Sequence, residues 1–239
     1  MDTLEGKVVA VTGAAKRIGR CIALHLASRG AKIAVHYNNS EAEALATAAA
    51  CGGRAFRADL ANVAEIRRLF GEIEMSFGRL DCLVNNAAVF RSIDPLTATE
   101  RDWDAIHDIN LKATFFCCQQ AARAMLRGEG GRIVNIASLG GLRPWAKHVP
   151  YCVSKAGVVM LTHALAKALA PDIAVNAIAP GVIHFGDEMP AEIERLVRVT
   201  PMGRHGTGEE IAATVGMLLE GPAFVTGQVL AVDGGLSLK

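Results

Sequence analysis

The sequence predicts an α/β protein, in which a doubly wound parallel sheet of about seven strands carries helices on both faces. Short apolar runs alternate along the 239 residues with longer segments of helical periodicity, the pattern of parallel strands joined by crossover helices. Two of the runs, 133–137 and 174–178, are apolar at all positions but one, as expected of strands covered on both faces. No linker or low-complexity tract divides the chain, so residues 1–239 are predicted to form a single domain.

The predicted elements follow one another in strict alternation. The predicted strands lie near residues 7–12, 32–37, 54–58, 81–85, 131–137, 173–178 and 228–232. The predicted helices lie near residues 18–29, 41–51, 62–77, 99–126, 151–170 and 207–219. Functional residues are expected where the carboxyl ends of the strands meet, because sheets of this kind open at that edge.

Composition limits the classes of partner. The chain is 51% hydrophobic and 21% charged, which suits a large core, and its formal net charge of +1 predicts neither nucleic-acid nor membrane binding. No apolar stretch reaches the roughly 18 uncharged residues of a membrane span, and the acidic start at residues 1–6 is unlike a secretory signal. The six cysteines form no Cys-x-x-Cys pair, so we expect reduced thiols, no metal site and a cytoplasmic location.

The first strand leads into a glycine-containing turn. Residues 12–19 read Thr-Gly-Ala-Ala-Lys-Arg-Ile-Gly and are followed by a segment of helical periodicity. Gly13 would permit a tight turn, and Gly19 would allow the helix to pack closely against the strand. The free N–H groups and positive dipole end of such a helix suit the pyrophosphate of a dinucleotide.

Three side chains further along the chain indicate a site of proton transfer. Tyr151 and Lys155 are four residues apart, so on a helix they would share one face. The lysine ammonium is expected to lower the pKa of the Tyr151 hydroxyl towards neutrality. Ser138 would donate a hydrogen bond to the substrate oxygen. The Tyr-x-x-x-Lys spacing alone is common by chance and is also found in ordinary amphipathic helices.

Together these motifs resemble the short-chain dehydrogenase/reductase family over essentially the whole chain. The resemblance implies a Rossmann fold and assigns the catalytic roles to Asn110, Ser138, Tyr151 and Lys155. Asn110 would hold a water molecule that connects Lys155 to solvent. The cofactor-binding residues it implies, together with those of the turn and the second strand, are Gly13, Lys16, Arg17, Ile18, Gly19, His36, Tyr37, Asn38, Asp59, Leu60, Asn86, Ala87, Ala88, Tyr151, Lys155, Pro180, Gly181 and Ile183. Two positions depart from the family pattern, since Arg17 and Ala88 stand where it has glycine.

The second strand indicates which nicotinamide cofactor is used. NAD-dependent enzymes usually end this strand with an acid that binds the ribose 2′-hydroxyl. Here no acid occurs before Glu41, whereas Lys16 and Arg17 could reach a 2′-phosphate. We therefore expect NADPH, with reduction of a carbonyl compound to an alcohol and Tyr151 as the proton donor.

The resemblance leaves other functions open. The turn with Arg17, followed by His36-Tyr37-Asn38, is similar to the pteridine reductase branch, for which Phe90 could supply a stacking ring. That branch, however, has Asp where this chain has Ser138. The 3-oxoacyl-carrier-protein reductases share the four catalytic residues, but the positions of their carrier-docking arginines fall near Glu129 and Asp172. A sensor that only binds NADPH is a further alternative, which the intact tetrad disfavours.

Further expectations concern the substrate loop and assembly. Residues 182–205 would form a substrate lid, with Pro180 and Gly181 following the sixth strand. Trp145 would shape the substrate mouth, whereas His148 is expected to face solvent. Family members commonly associate through the helices near 99–126 and 151–170, so a homotetramer or homodimer is expected, with Met160 on the shared face.

Overall fold

The computed structural model describes residues 3–239 and contains one seven-stranded sheet. All neighbouring strands are parallel, in the order β3-β2-β1-β4-β5-β6-β7. The strands are β1 (Val8–Val11), β2 (Lys32–Tyr37), β3 (Arg54–Arg57), β4 (Cys82–Asn85), β5 (Gly131–Ile136), β6 (Ile173–Pro180) and β7 (Val229–Val232). Residues 1 and 2, which belong to the acidic start at residues 1–6, lie outside the described residues.

Helices cover both faces of this sheet. They are α1 (Arg17–Ser28), α2 (Glu41–Ala50), α3 (Val63–Phe77), α4 (Glu100–His107), α5 (Ala113–Met125), α6 (Val149–Leu169), α7 (Ala191–Val199) and α8 (Gly208–Glu220). One core cluster joins α1, α2 and α8 to the sheet, and a second joins α3, α5 and α6 to its other face. The predicted doubly wound fold is therefore confirmed.

The strand order fixes where the fold opens. From β1 the chain proceeds outwards to β3 on one side, and then crosses over to begin β4 on the other. The loops that follow β1 and β4 consequently diverge at the carboxyl edge of the sheet. A crevice at this switch point is the binding site that an open α/β sheet provides.

The predicted continuous helix over 99–126 is wrong. The structure has α4, a π-helical turn over Asp108–Lys112, and then α5. Asn110, in the π turn, is 1% exposed, and its side chain bonds the backbone of Val89 in the loop after β4. Helical periodicity does not reveal this interruption, because the partner lies 21 residues away in the sequence.

The lid region contains a helix that periodicity did not predict. α7 begins after Pro190, and none of its residues is buried. Residue 180 also differs from expectation, because Pro180 is the last residue of β6 and pairs with Val232 of β7. Only Gly181 follows the strand.

α6 is long and apolar enough, by length and composition, to span a membrane. In the fold it packs against β6, and its Tyr151, Ser154 and Lys155 side chains are buried against the protein. We therefore interpret α6 as a core helix of the domain.

Candidate active site

The turn after β1 brings two loops into close contact. Gly13 has a φ of +62°, and a Cβ there would lie 2.9 Å from the Cα of Ala87. A Cβ on Gly19 would lie 2.2 Å from the carbonyl oxygen of Gly13 and 2.6 Å from Nδ2 of Asn86. Both positions thus require glycine, one for its backbone conformation and both for space.

Thr12 and Asn86 hold these loops together. The Thr12 hydroxyl accepts hydrogen bonds from the backbone N–H groups of Asn86 and Ala87, at 2.9 and 3.0 Å. The Asn86 amide donates in return to the carbonyl oxygens of Thr12 and Gly13, at 2.9 and 3.0 Å. The loops that follow β1 and β4 are therefore fixed as one unit, at the N-terminus of α1.

A cavity of about 540 Å³ opens at this unit. Its lining residues are Gly13, Lys16, Arg17, Ile18, Gly19, His36, Asn38, Leu60, Asn86, Ala87, Ala88, Val89, Ile109, Ile183 and Phe185. Twelve of these were predicted to bind cofactor. The structure therefore brings together most of the predicted cofactor set.

Three lining residues were missed by sequence reasoning. Val89 and Ile109 are apolar neighbours of the motif residues Ala88 and Asn110, so adjacency alone could have suggested them. Phe185 reaches the cavity from the lid, and a Cβ on Gly208 would lie 3.0 Å from its ring. The residues around Phe185 in the sequence do not predict this position, because Gly208, against which its ring packs, belongs to α8.

Other predicted cofactor residues lie away from this cavity. Tyr37 is buried and its hydroxyl donates to Glu41 at 2.9 Å, so it is not among the lining residues, and its contact with the cofactor stays a prediction. Asp59 borders an adjoining polar hollow that shares Asn38 with the cavity. Pro180 and Gly181 pack against the C-terminal segment, where a Cβ on Gly181 would lie 2.7 Å from Asp233. Tyr151 and Lys155 belong to the catalytic group described below.

His36 connects three segments beneath the cavity. Its Nδ1 accepts the backbone N–H of Gly13 at 3.0 Å, and its Nε2 bonds the carbonyl oxygen of Ala58 at 3.0 Å. Both bonds are satisfied by the neutral ring with its proton on Nε2. Burial lowers the pKa of His36 from 6.5 to about 4, which keeps the ring neutral near pH 7.

This buried histidine predicts a loss of stability in acid. The folded protein binds the His36 proton less readily than the unfolded chain, so the free energy of unfolding should fall as the pH drops from about 6.5 towards 4. The loss approaches roughly 3 kcal/mol below about pH 4, since each tenfold change in proton affinity is worth about 1.4 kcal/mol.

Urea unfolding across this pH range should show a weaker pH dependence of stability for His36→Gln than for the wild type. His163→Gln, at an exposed position of α6, should keep the wild-type dependence; equal slopes for His36→Gln and the wild type would contradict the assignment.

Ser138, Tyr151 and Lys155 meet beside the carboxyl end of β5. Ser138 follows the strand, and its oxygen accepts the backbone N–H of Gly140 at 3.0 Å, which leaves the hydroxyl proton free to donate. Tyr151 and Lys155 are both buried in the first two turns of α6. The Lys155 ammonium donates to the carbonyl oxygen of Ile136 at 2.7 Å and lies 6.0 Å from the centre of the Tyr151 ring.

The pKa values of Tyr151 and Lys155 differ from the sequence-based expectation. Burial raises the pKa of Tyr151 above its ordinary value of 10, while the interaction with Ser138 partly opposes the increase. Burial also lowers the pKa of Lys155 to about 8. The expectation that Lys155 lowers the pKa of Tyr151 is therefore wrong for this arrangement, because desolvation dominates and the ammonium is directed at Ile136.

Asn110 positions the elements around this group. Its Oδ1 accepts the N–H of Val89 at 2.7 Å, and its Nδ2 donates to the carbonyl oxygen of Val89 and to the Ser154 hydroxyl, at 3.0 and 3.1 Å. The amide thus joins the loop after β4 to α6. The predicted water-holding role stays a prediction.

Aromatic rings surround Tyr151. The Phe90 ring lies 4.8 Å from the Tyr151 ring at 81° and stacks on His148 at 4.6 Å and 8°. The Trp145 ring is nearly parallel to that of Tyr151, at 6.2 Å and 11°. His148 therefore contacts the aromatic cluster, and the expectation that it simply faces solvent is wrong. We call Phe90, Trp145, His148 and Tyr151 the ring cluster.

No group of three or more His, Cys, Asp or Glu side chains among residues 3–239 could hold a metal ion. All six cysteines are free thiols. The arrangement is thus a cavity of about 540 Å³ after β1 and β4, and a buried hydroxyl, phenol and ammonium after the neighbouring strand β5.

Comparisons with known proteins agree with this geometry. A family model described as enoyl-(acyl carrier protein) reductase matches residues 13–237. A 3-oxoacyl-[acyl-carrier-protein] reductase of Synechocystis sp. is 38% identical over 244 residues, covering 99% of both chains. Carbonyl reductase family member 4 of Xenopus tropicalis is 37% identical over 234 residues, covering 98% of this chain and 99% of the relative. A short-chain dehydrogenase/reductase structure from Serratia marcescens has a TM-score of 0.92 at 36% identity, covering 99% of this chain and all of that one.

Proposed function

The chain belongs to the short-chain dehydrogenase/reductase family, an oxidoreductase family that acts on carbonyl and alcohol groups with a nicotinamide cofactor, and we propose that it reduces a ketone with NADPH. The observation that carries this proposal is the grouping of Ser138 with the buried Tyr151 and Lys155 side chains at the carboxyl end of β5. The Tyr151 phenol, whose pKa is raised by burial, holds its proton near pH 7 and so has a proton to donate. The reaction that needs such an acid is reduction of a carbonyl to an alcohol.

The residues of the cavity fit the cofactor. The first residues of α1 line the cavity, where the free N–H groups and positive dipole end of the helix suit a pyrophosphate. The described lining residues include two cations, Lys16 and Arg17, and no acid. This charge balance suits the 2′-phosphate that distinguishes NADPH from NADH.

Ser138, Tyr151 and Lys155 have distinct roles in this reaction. The bound cofactor supplies the hydride. The Ser138 hydroxyl donates a hydrogen bond to the carbonyl oxygen, and Tyr151 transfers its proton to that oxygen as negative charge develops there. Burial lowers the pKa of Lys155 to about 8, so its ammonium loses a proton readily near neutral pH and suits the return of a proton to Tyr151.

Arg17 provides a test of cofactor binding that separates function from stability. Its φ of +53° lies in the left-handed region, where an L side chain costs about 1 kcal/mol or more and the family has glycine. We expect Arg17→Gly to raise the free energy of unfolding by about 1 kcal/mol, by relieving this strain. It should also raise the KM for NADPH about tenfold, because a charged contact to phosphate is lost.

The control is Arg17→Ala, which loses the same side chain but keeps the strained conformation. It should raise the KM for NADPH as much as Arg17→Gly does, without the gain in stability. Urea unfolding and steady-state kinetics with NADPH and NADH measure the two effects. An unchanged KM in both variants would show that Arg17 does not contact the cofactor.

A second candidate is reduction of a 3-oxoacyl thioester on acyl carrier protein, which the Synechocystis relative favours. Against it, Glu129 and Asp172 are both exposed acids. Glu129 lies within 3.9 Å of Lys7 and 3.7 Å of Arg79, which partly offsets its charge. Acidic side chains at these positions would repel an acidic carrier.

Assembly and location complete the proposal. Met160 is 65% exposed and Val153 45% exposed on the outer face of α6, a surface suited to a second copy in a homotetramer or homodimer. Leu165 and Leu169 of the same helix pack instead against the core of their own chain. Six free thiols agree with a reducing, cytoplasmic location. Light scattering tests the assembly, which a monomeric mass would exclude.

The direct test is oxidation of NADPH and of NADH with a panel of substrates. The panel contains simple ketones, a quinone, a dihydropterin and a 3-oxoacyl thioester, offered both as a small thioester and on the carrier protein. Turnover of ketones with preference for NADPH supports the proposal. Turnover confined to the carrier-bound thioester would favour the second candidate, and tight NADPH binding without turnover of any carbonyl would overturn both.

A further inference from the structure

The ring cluster is more extensive than proton transfer requires. Only the hydroxyl of Tyr151 takes part in the proposed reaction. The centres of three further rings nevertheless lie within 6.4 Å of the centre of the Tyr151 ring or of one another. Phe90 is supplied by the loop after β4, and Trp145 and His148 by the segment that precedes α6. Two separate segments therefore contribute aromatic side chains to the surroundings of one hydroxyl.

The rings are held in fixed relative positions. The backbone N–H of Ile93 donates to the carbonyl oxygen of Lys147 at 2.8 Å, which ties the Phe90 loop to the Trp145 segment. A Cβ on Gly140 would lie 3.0 Å from the Trp145 ring and 3.3 Å from the Tyr151 ring. Both rings thus pack closely on Gly140, two residues after Ser138.

Much of this aromatic surface is open. Phe90 is 59% exposed although it contacts all three other members of the ring cluster. Leu142 and Val149, on either side of Trp145 in the sequence, are also exposed. An open apolar surface of fixed shape beside a catalytic hydroxyl is typical of a ligand-binding site.

We propose that the substrate is an aryl carbonyl compound, whose planar ring packs on Phe90 while its carbonyl oxygen meets Ser138 and Tyr151. The proposal rests on the proposed carbonyl reduction and assigns Phe90 as the residue that determines specificity. Aromatic pairs gain about 0.5–1.5 kcal/mol beyond burial of area. A saturated ring or an acyl chain of similar size gains only the burial.

A matched pair of ketones tests this assignment. Acetophenone and cyclohexyl methyl ketone have the same carbon skeleton and differ in whether the ring is planar and aromatic. Because aryl ketones are intrinsically less reactive, each variant is compared with the wild type on the same substrate. Phe90→Leu should lower kcat/KM for acetophenone about fivefold, through KM, and should change that for cyclohexyl methyl ketone less than about twofold.

Two further variants serve as controls, one that keeps a ring at position 90 and one that makes the same substitution outside the site. Phe90→Tyr retains a ring and should retain most of the acetophenone activity. Phe224→Leu makes the same substitution at a fully exposed position outside the site, and should leave both substrates unaffected. Equal effects of Phe90→Leu on the two ketones, or no effect on either, would overturn the proposal, as would turnover of other ketones without turnover of acetophenone.

A binding measurement separates failure of this inference from failure of the proposed function. The chain has two tryptophans, so Trp103→Phe leaves Trp145 as the only indole fluorophore. Titration of this variant with 1-phenylethanol should change its emission at lower concentration than titration with 1-cyclohexylethanol. Adding Phe90→Leu should remove the difference. If no carbonyl is reduced at all, the proposed function fails. Equal binding of the two alcohols would overturn the aryl specificity whether or not any carbonyl is reduced.

Discussion

Tyr151→Phe should lower kcat about 10³-fold while leaving the affinity for NADPH within about twofold of the wild type. The substitution removes one oxygen atom and keeps the ring, so contacts with Phe90 and Trp145 remain. The cavity that we propose for the cofactor is lined by other residues, which is why binding should survive. Single-turnover kinetics and an NADPH fluorescence titration measure the two quantities.

The matched control is Tyr37→Phe, since the chain has only two tyrosines. The Tyr37 hydroxyl donates to Glu41 and lies outside the described cavity lining, so its removal should leave kcat nearly unchanged. Near-normal turnover in Tyr151→Phe would exclude Tyr151 as the acid. A large loss in Tyr37→Phe would support the sequence-based expectation that this side chain serves the cofactor site.

Gly19→Ala should abolish measurable cofactor binding and destabilise the fold by about 2–4 kcal/mol. The added methyl group would lie 2.2 Å from the Gly13 carbonyl oxygen and 2.6 Å from Nδ2 of Asn86. Neither neighbour can yield freely, because one is backbone and the other bonds both Thr12 and Gly13. The turn must therefore open, and the fixed unit made by the loops after β1 and β4 is lost.

Gly71→Ala provides the corresponding control within α3. A Cβ at Gly71 would meet no atom within 4 Å, so alanine should raise the free energy of unfolding by about 0.5–1 kcal/mol through helix propensity. Urea unfolding and an NADPH titration of both variants make the comparison. A Gly19→Ala variant that binds NADPH normally would contradict the described packing of the turn.

Much of the fold was predictable because the signals are local. Each strand and most helices follow from apolar periodicity within a dozen residues, and the alternation of the two implies the parallel sheet. The motifs around Gly13, Asn86 and Ser138 could be placed at the carboxyl edge for the same reason, since each follows a predicted strand. The confirmed family resemblance rests on these motifs, whereas NADPH, the substrate and the assembly stay predictions.

The sheet, the crevice and the identity of the chemical groups can all be predicted from residue types at short spacings. The partner that each group meets depends on tertiary packing. In the fold, Lys155 bonds Ile136, Tyr37 bonds Glu41 and His148 stacks on Phe90. The predicted helix is also interrupted around Asn110, whose side chain bonds Val89. Most of these outcomes depend on desolvation or on contacts between segments far apart in the chain, and periodicity along the chain carries no information about either.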